Sequence, residues 1–248
     1  MKLPPRIYHL AEAANWLSIQ RNGLQSAGRL IRAARLTRAD QNRLERTQRL
    51  THTVLPTGVH IRDQRPMPAA ALRRCLYDMS PADWYALINS QVFFWMDSDR
   101  LNRQKAACEP RPQVVLVVDT AALIAAHEQR IAVTPINTGN ARRKAARRGA
   151  ATFVPLTAWS RSGWASEAAA LGIPLRRGPR QPVELTVLEA VPDIMRFVIG
   201  VVALPAGRPF YGKASRANSR KSVRINGTVS SVSVHSPRFS RPKAFIVS

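Results

Sequence analysis

The chain has 248 residues, enough for one large domain or two small ones with a sizeable hydrophobic core. Its 38 Lys and Arg residues against 15 Asp and Glu give a formal net charge of +23. A field of this sign attracts polyanions, so nucleic acid is the first partner to consider and an anionic membrane surface the second. The alternative is that the codon usage of a GC-rich genome, together with an unstructured basic tail, accounts for most of the excess charge.

The composition argues against several classes of protein. The two cysteines, Cys75 and Cys108, form no CxxC motif and lie far from any His cluster, which disfavours a disulfide framework and a zinc site. The N-terminal residues lack the apolar core of a signal peptide. The longest apolar run, residues 197–205, is too short to span a bilayer. We therefore expect a soluble, cytoplasmic protein with no metal and no membrane partner.

The pattern of apolar and polar residues predicts short strands mixed with short helices. Apolar alternation or continuous apolar runs predict strands at residues 6–10, 92–96, 113–119, 131–134, 152–156, 184–187 and 197–204. Helical spacing and capping signals predict helices at residues 12–21, 28–49, 67–90 and 97–107, and a helix or turn at 120–128. Residues 137–149 are expected to form a basic polar loop, and residues 161–180 to be irregular. Because there is no regular βαβ alternation, the expected fold class is α+β.

The composition changes after Leu204. Residues 206–248 contain nine Lys and Arg, no Asp or Glu, and many Ser, which is typical of a disordered basic tail. The alternative for part of this segment is a strand or hairpin, because Val and Ile recur within residues 223–234. We expect a folded domain at residues 1–205 followed by a tail at residues 206–248.

One carboxylate, Glu184, is set among apolar and β-branched residues in the predicted strand at residues 181–187. An acid in such a strand is costly, because desolvation disfavours the charged form of a carboxylate. Either Glu184 points to solvent from the polar face of the strand, or it lines a cleft and takes part in chemistry. The chain has no P-loop, GxGxxG, HExxH or GxSxG motif, which argues against the commonest cofactor-binding and hydrolase sites.

Several segments, in this order, resemble the NAD-dependent ADP-ribosyltransferases. The likeness is greatest to the DarT-like group, which modifies DNA bases and works as the toxin of a toxin–antitoxin pair. Its opening strand, of the kind YHI-T/A-H, and its helix N-L-x-x-I-L-x-x-G-L are similar to residues 8–10 and 15–24. Its central aromatic strand, followed by a charged turn, is similar to residues 92–97. Its late strand x-E-x-x-V and its V/I-P-x-x-I element are similar to the strand of Glu184 and to residues 191–194.

The resemblance spans residues 6–203 and implies a split antiparallel sheet around an NAD cleft, with NAD as a substrate. It implies that the Glu184 carboxylate hydrogen-bonds the 2′-OH, stabilises positive charge on the ribose as the nicotinamide bond breaks, and deprotonates the acceptor. It also implies that His9 holds a ribose hydroxyl and that Arg65 contacts the diphosphate. The remaining implied contacts, all to the nicotinamide, are the backbone of Gly23 and Leu24 and a stacked ring of Tyr85, Phe93, Phe94 or Trp95.

The chain departs from that family pattern in its opening strand, where the second His has no counterpart because position 12 is Glu12. Arg65 is one of several neighbouring arginines that fit the family's Arg. Each residue also has a simpler structural interpretation. His9 is then a structural His of the strand, the aromatic run belongs to the core, and Gly23 ends a helix.

Two functions from different classes follow. The first is transfer of ADP-ribose from NAD to an acceptor that the charge predicts to be a nucleic acid, with a toxin role and an antitoxin partner implied by the resemblance. The second is non-enzymatic nucleic-acid binding through Arg-rich segments, among them the basic loop at residues 141–149. A degenerate transferase that binds a ligand without reacting is a third.

Overall fold

The computed structural model describes residues 2–142, 145–176 and 181–212, together with the backbone of residues 223–225 and 228–230. The chain divides into two units, Met1–Gly212 and Lys213–Ser248. This division lies later than the boundary predicted at residue 205, because Phe210 is buried in the first unit and packs edge-on against Tyr8.

The first unit is built from eleven strands and nine α-helices among its described residues. The strands are β1 (Arg6–Glu12), β2 (Leu24–Gln25), β3 (Thr53–Val54), β4 (His60–Ile61), β5 (Gln91–Trp95), β6 (Gln113–Asp119), β7 (Ile131–Thr134), β8 (Val154–Pro155), β9 (Glu184–Leu188), β10 (Ala190–Val191) and β11 (Val198–Leu204). The helices are α1 (Trp16–Asn22), α2 (Ala27–Ala33), α3 (Arg38–Arg46), α4 (Ala69–Cys75), α5 (Pro81–Asn89), α6 (Ser98–Cys108), α7 (Thr120–His127), α8 (Leu156–Ser162) and α9 (Ala165–Leu171).

Seven strands form one antiparallel sheet in the order β11-β6-β1-β5-β9-β7-β8. The predicted α+β class is therefore confirmed. β1 and β6 pair along seven residues, whereas β1 and β5 pair only at Tyr8 and Trp95. The sheet thus consists of two blocks, β11-β6-β1 and β5-β9-β7-β8, joined through a short junction.

Both faces of the sheet are covered, which explains the continuous apolar run of β6. Its even-numbered residues, such as Leu116, pack with Ile7, Phe94 and Leu185 in the largest core, to which α7 and α8 contribute. Its odd-numbered residues, Val115 and Val117, pack in a second core beneath α6. A third core lies between α4 and α5.

Three predictions of local structure differ from the observed elements. Residues 161–180, expected to be irregular, include the end of α8 and all of α9. The strand predicted at residues 152–156 is short, because the 3-10 turn Ala150–Thr152 precedes it and α8 begins at Leu156. The helix predicted at residues 28–49 is present as two helices, α2 and α3, joined through Arg35, which has a positive φ of 53°.

The second unit contains an antiparallel hairpin of β12 (Val223–Ile225) and β13 (Thr228–Ser230), within the segment for which a hairpin was the alternative to disorder. Residues 206–212 of the predicted tail belong to the first unit, and apart from the hairpin the rest of the predicted disorder falls on residues outside those that the structure describes. Across the described ranges, no helix is long and apolar enough to cross a membrane.

Candidate functional site

The strands that carry the three sequence motifs lie side by side, in the order β1-β5-β9. Their register aligns Tyr8 of β1 with Trp95 of β5, Trp95 with Glu184 of β9, and Glu184 with Thr134 of β7. Directly opposed residues in a sheet project from the same face. These four side chains therefore form one row across the centre of the sheet.

Glu184 is buried, with 3% of its surface exposed, so the alternative that it points to solvent is wrong. Its Oε2 accepts a hydrogen bond from the Thr138 hydroxyl at 2.9 Å. The Thr134 hydroxyl is also 2.9 Å from Oε2, and its one proton is shared between this oxygen and the Ile136 carbonyl at 2.8 Å. The backbone N–H of Thr138 also donates to the carboxylate, at 3.2 Å from Oε2 and 3.3 Å from Oε1. Residues of the loop after β7 thus lie directly over the carboxylate.

Burial raises the pKa of Glu184 from its ordinary value of 4.5 to about 7. Desolvation is the largest cause, because it disfavours the charged carboxylate. The hydrogen bonds from Thr134 and Thr138 and the positive charge of Arg148 act in the opposite direction. Near neutral pH the group is therefore divided between its acid and base forms, which suits general acid–base chemistry.

Arg148 fixes the loop that covers Glu184. Its guanidinium is buried and donates to the carbonyl oxygens of Ala146, Thr138 and Asn140, at 3.1, 3.3 and 2.9 Å. Sequence reasoning placed this residue in a basic polar loop without separating it from its neighbours. Two of those neighbours, Arg143 and Lys144, lie outside the described residues.

His9 projects from the opposite face of the sheet to Glu184, because it is the residue after Tyr8 in β1. Its Nδ1 lies 2.8 Å from the carbonyl oxygen of Phe93, and its ring packs against Phe94. Desolvation lowers the pKa of His9 to about 4, so the ring is neutral at physiological pH and Nδ1–H is the donor. This hydrogen bond crosses the β1–β5 junction, where the ladder between the strands is short.

Two segments of the resemblance that are far apart in sequence, those around Gly23 and Pro192, are in contact in the structure. Leu24 of β2 pairs with Val191 of β10. Gly23 has a positive φ of 72°, and a Cβ added there would overlap with the backbone of Pro192. The small size of Gly23 therefore serves this close approach, and Leu24 is buried in the core beside it.

Apart from Trp95, the cross-strand neighbour of Glu184, the other predicted site residues are not brought to Glu184 by any contact of the described residues. Arg65 is exposed, and its Nε donates to the carbonyl of Leu50 at 2.7 Å. Tyr85 is buried in the third core, and its hydroxyl donates to the Met67 carbonyl at 2.6 Å. The remaining aromatic candidates divide among the cores, with Phe94 in the largest, Trp95 beneath α6 and Phe93 against the third.

The arginine whose charge acts on His9 is Arg62, which sequence reasoning missed. Arg62 and Arg111 hold the buried carboxylate of Glu12, at 3.0 and 3.2 Å. Glu12, a departure from the family's opening strand, was expected to be a surface acid, and its burial corrects that expectation. Its two arginines keep its pKa below the ordinary value despite the opposing effect of desolvation, which marks this cluster as a structural ion-pair network.

Comparison with known proteins identifies a family whose function is unknown. Within the described residues, no group of three or more His, Cys, Asp or Glu is placed to hold a metal ion. No curated protein matches the chain. A family model described as "Family of unknown function (DUF7002)" matches residues 5–198, which include every strand of the central sheet apart from most of β11. The chain belongs to this DUF7002 family.

Proposed function

We propose that this protein is an NAD-dependent ADP-ribosyltransferase with Glu184 at its reaction centre. The observation that carries the proposal is the state of that carboxylate, which is buried beside Trp95 at the centre of the sheet with a pKa of about 7. Buried groups with shifted pKa values are concentrated at functional sites. The adjacency of β1, β5 and β9 adds support, because these strands carry the motifs of the resemblance.

The proposal includes an ADP-ribosyltransferase-like split sheet, with the division at the β1–β5 junction. His9 then acts as a positioning residue, since its hydrogen bond to the Phe93 carbonyl holds β5, and with it Trp95, against β1. Trp95 is the ring assigned to the nicotinamide, because it is the cross-strand neighbour of Glu184. An aromatic face beside a carboxylate suits a planar cationic ring.

The hydroxyl groups around Glu184 indicate how a ribose would be held. The Thr138 hydroxyl donates to Oε2 and the Thr134 hydroxyl lies at the same distance, so this carboxylate is already arranged beside hydroxyl groups. The 2′-OH and 3′-OH of a ribose are donors of the same kind and take over these positions in the NAD complex. They favour the ionised carboxylate, which then stabilises the positive charge on the ribose as nicotinamide leaves.

The acceptor in this proposal is a nucleic acid. Its support is the net charge of +23, which concentrates polyanions around the protein. Ionised Glu184 removes the proton from the acceptor group once that group is within hydrogen-bond reach. Action in the cytoplasm as the toxin of a toxin–antitoxin pair, with an antitoxin protein as partner, is the part of the proposal that rests on the family resemblance alone.

The test is nicotinamide release and label transfer from labelled NAD, with and without single-stranded DNA or RNA. Glu184→Gln keeps the shape of the side chain and one oxygen acceptor but removes the negative charge. We expect turnover to fall about a hundredfold or more, as when other groups that stabilise developing charge are removed. Glu167→Gln is the matched control, since Glu167 is also fully buried but pairs with Arg176 beside α9.

The outcome decides between the two classes of function. Turnover that Glu184→Gln abolishes and Glu167→Gln preserves supports the transferase and identifies its acceptor. Equal turnover in wild type and Glu184→Gln contradicts the role of Glu184. No nicotinamide release under any condition, together with tight and salt-sensitive binding of the oligonucleotides, supports the non-enzymatic nucleic-acid-binding protein instead.

A further inference from the structure

An exposed aromatic ring and an arginine are stacked on the surface of the first unit. The guanidinium carbon of Arg147 lies 4.2 Å from the ring centroid of Tyr77, and 40% of Tyr77 is exposed. The partly exposed tyrosine ring and the guanidinium stacked on it together present a planar surface with a positive charge. Nucleobases stack on such surfaces regardless of their sequence, because every base has a π-face.

This stacked pair lies on a surface made by α4 and the loop that runs beside it. At one end the N–H of Ala141 donates to the Pro66 carbonyl at 2.8 Å. At the other end the N–H of Arg148 donates to the Cys75 carbonyl at 2.9 Å, and the N–H of Tyr77 donates to the Arg148 carbonyl at 2.8 Å. The described ends of the loop, residues 141–142 and 145–148, are therefore each fixed beside the α4 segment.

Four arginines of this surface are not paired with an acid within the part of the chain that the structure describes. Arg73 and Arg74 from the last turn of α4, and Arg142 and Arg147 from the loop, are all exposed. None of the four forms a salt bridge with a described residue. Asp78, which follows Tyr77 in the chain, is a nearby acid in the sequence, but it is not paired with any of them. The arginines of α2 and α3 differ, since three of them pair with acids: Arg32 with Glu45 and Glu189, Arg43 with Asp40, and Arg46 with Asp83.

We propose that Arg73, Arg74, Tyr77, Arg142 and Arg147 form a binding surface for single-stranded nucleic acid. A base stacks on the Tyr77–Arg147 pair, and the phosphates on either side of it contact the other three arginines. Binding at this surface needs no NAD. That this surface holds the acceptor strand rests on the proposed function. The surface is linked to Glu184 through Arg148, the residue after Arg147, which donates to the carbonyl of Thr138, and Thr138 in turn donates to Glu184.

The test measures affinity for short labelled single strands by fluorescence anisotropy, with the full chain and without NAD. We expect Tyr77→Leu to weaken binding about tenfold or more, because base–aromatic stacking is lost. Tyr77→Phe keeps the ring and should retain the wild-type affinity. DNA and RNA strands of the same sequence distinguish the two sources of the ligand, and the corresponding duplex tests whether unstacked bases are required.

The contribution of the arginines is tested by the salt dependence of binding. The double variant Arg73→Ala/Arg74→Ala should lower the slope of log K against log salt concentration by about 1.4, since each phosphate contact on a single strand contributes about 0.7. Arg161→Ala, which removes an exposed arginine of α8, is the control for net charge and should leave the slope within about 0.3 of wild type.

Two results would overturn this surface. One is wild-type affinity in Tyr77→Leu, and the other is an equal loss of affinity in Tyr77→Leu and Tyr77→Phe. The proposed transferase activity is measured separately, as nicotinamide release both with and without nucleic acid. An inactive protein that still binds single strands through Tyr77 therefore contradicts only the enzyme, and an active protein that is indifferent to Tyr77→Leu contradicts only the surface.

Discussion

Thr138 donates two hydrogen bonds to the carboxylate of Glu184, one from its hydroxyl at 2.9 Å from Oε2 and one from its backbone N–H at 3.2 Å from the same oxygen. Thr138 is fully buried and Glu184 nearly so. The hydroxyl of Thr134, opposite Glu184 in β7, is 2.9 Å from this oxygen and shares its one proton between it and the Ile136 carbonyl. These donors favour the ionised carboxylate while burial favours the neutral form, and burial has the larger effect on its pKa.

Thr138→Val should destabilise the protein more at high pH than at low pH. Valine keeps the branched shape and the backbone N–H but removes the hydroxyl donor. A hydrogen bond to a charged group contributes about 1.5–3 kcal/mol, so we expect a loss in this range above pH 7, where Glu184 is ionised. Where the carboxyl is protonated, the expected loss is about 1 kcal/mol. The measurement is chemical denaturation near pH 5 and pH 8.

The control for that substitution is Thr157→Val on α8, where the threonine is exposed. Its effect should stay within about 0.5 kcal/mol at both pH values, as for most surface substitutions. An equal loss for Thr138→Val at both pH values would show that the charge of Glu184 is not involved.

The pH dependence of stability should contain two opposing contributions. The pKa of Glu184 is raised to about 7 in the folded protein, so its contribution to stability is present below pH 4.5 and lost as the pH rises through 7. The pKa of His9 is lowered to about 4, so its contribution is present above pH 6.5 and lost as the pH falls through 4. Between these limits the two contributions have opposite slopes.

Glu184→Gln removes the first of the two contributions. Relative to wild type, this variant should gain stability as the pH rises from about 5 to 8, by roughly 3 kcal/mol for a shift of this size. The free energy of unfolding is measured by guanidinium titration at each pH. A stability difference between the two proteins that stays constant with pH would mean that the carboxyl has an ordinary pKa in the folded state.

Gly23→Ala should be among the more destabilising single substitutions in the chain. An alanine there meets both a positive φ and the backbone of Pro192, which belongs to the segment that follows β10. We expect a loss of about 2 kcal/mol or more, because neither backbone can move without breaking the β2–β10 pairing.

Gly58→Ala separates the two causes of that loss. Gly58 has a similar φ of 78°, but a Cβ there meets nothing within 4 Å. The expected cost is about 1 kcal/mol, for backbone strain alone. Equal thermal stability of the two variants would show that the contact with Pro192 carries no energy.

Local signals predicted several elements well. The Ser80-Pro81 start predicts α5, and the structure has Ser80 and Asp83 capping each other there. The apolar run of β6 predicts a buried strand because it covers both faces of the sheet. The prediction that residues 161–180 are irregular was wrong for a physical reason. The Gly and Pro content of this segment suggested irregular chain, but Gly163 and Gly172 are the C-cap residues at which α8 and α9 end.

The candidate site was predictable only in part, because its partners are distant in sequence. Glu184 is conspicuous as the one acid in an apolar strand, but Thr134 and Thr138 reach it through the pairing of β7 with β9. That register cannot be read from either strand alone. His9 and Glu184 are both prominent in the sequence, yet the alternation of side chains along β1 places them on opposite faces.

Arg148 shows the same difficulty, since nothing in the sequence of the basic loop distinguishes this buried arginine from Arg142 and Arg147, which are exposed. Its guanidinium donates to three carbonyl oxygens, those of Ala146, Thr138 and Asn140. The planar guanidinium presents five N–H groups in fixed directions, whereas a lysine has a single ammonium at the end of a different stem. Arg148→Lys should therefore leave buried carbonyls without donors and cost about 2–4 kcal/mol.

The matched control is Arg142→Lys in the same loop. Arg142 is exposed and makes one side-chain hydrogen bond, at 3.4 Å to the Arg65 carbonyl, so the expected loss is within about 0.5 kcal/mol. Denaturant titration gives the stability of both variants. If Arg148 fixes the loop over Glu184, Arg148→Lys should also speed hydrogen exchange at the Thr138 amide. This increase should exceed the increase at the amides of β6, because the loop then opens locally without global unfolding. Uniform acceleration at all protected amides would instead mean that Arg148 stabilises only the fold as a whole.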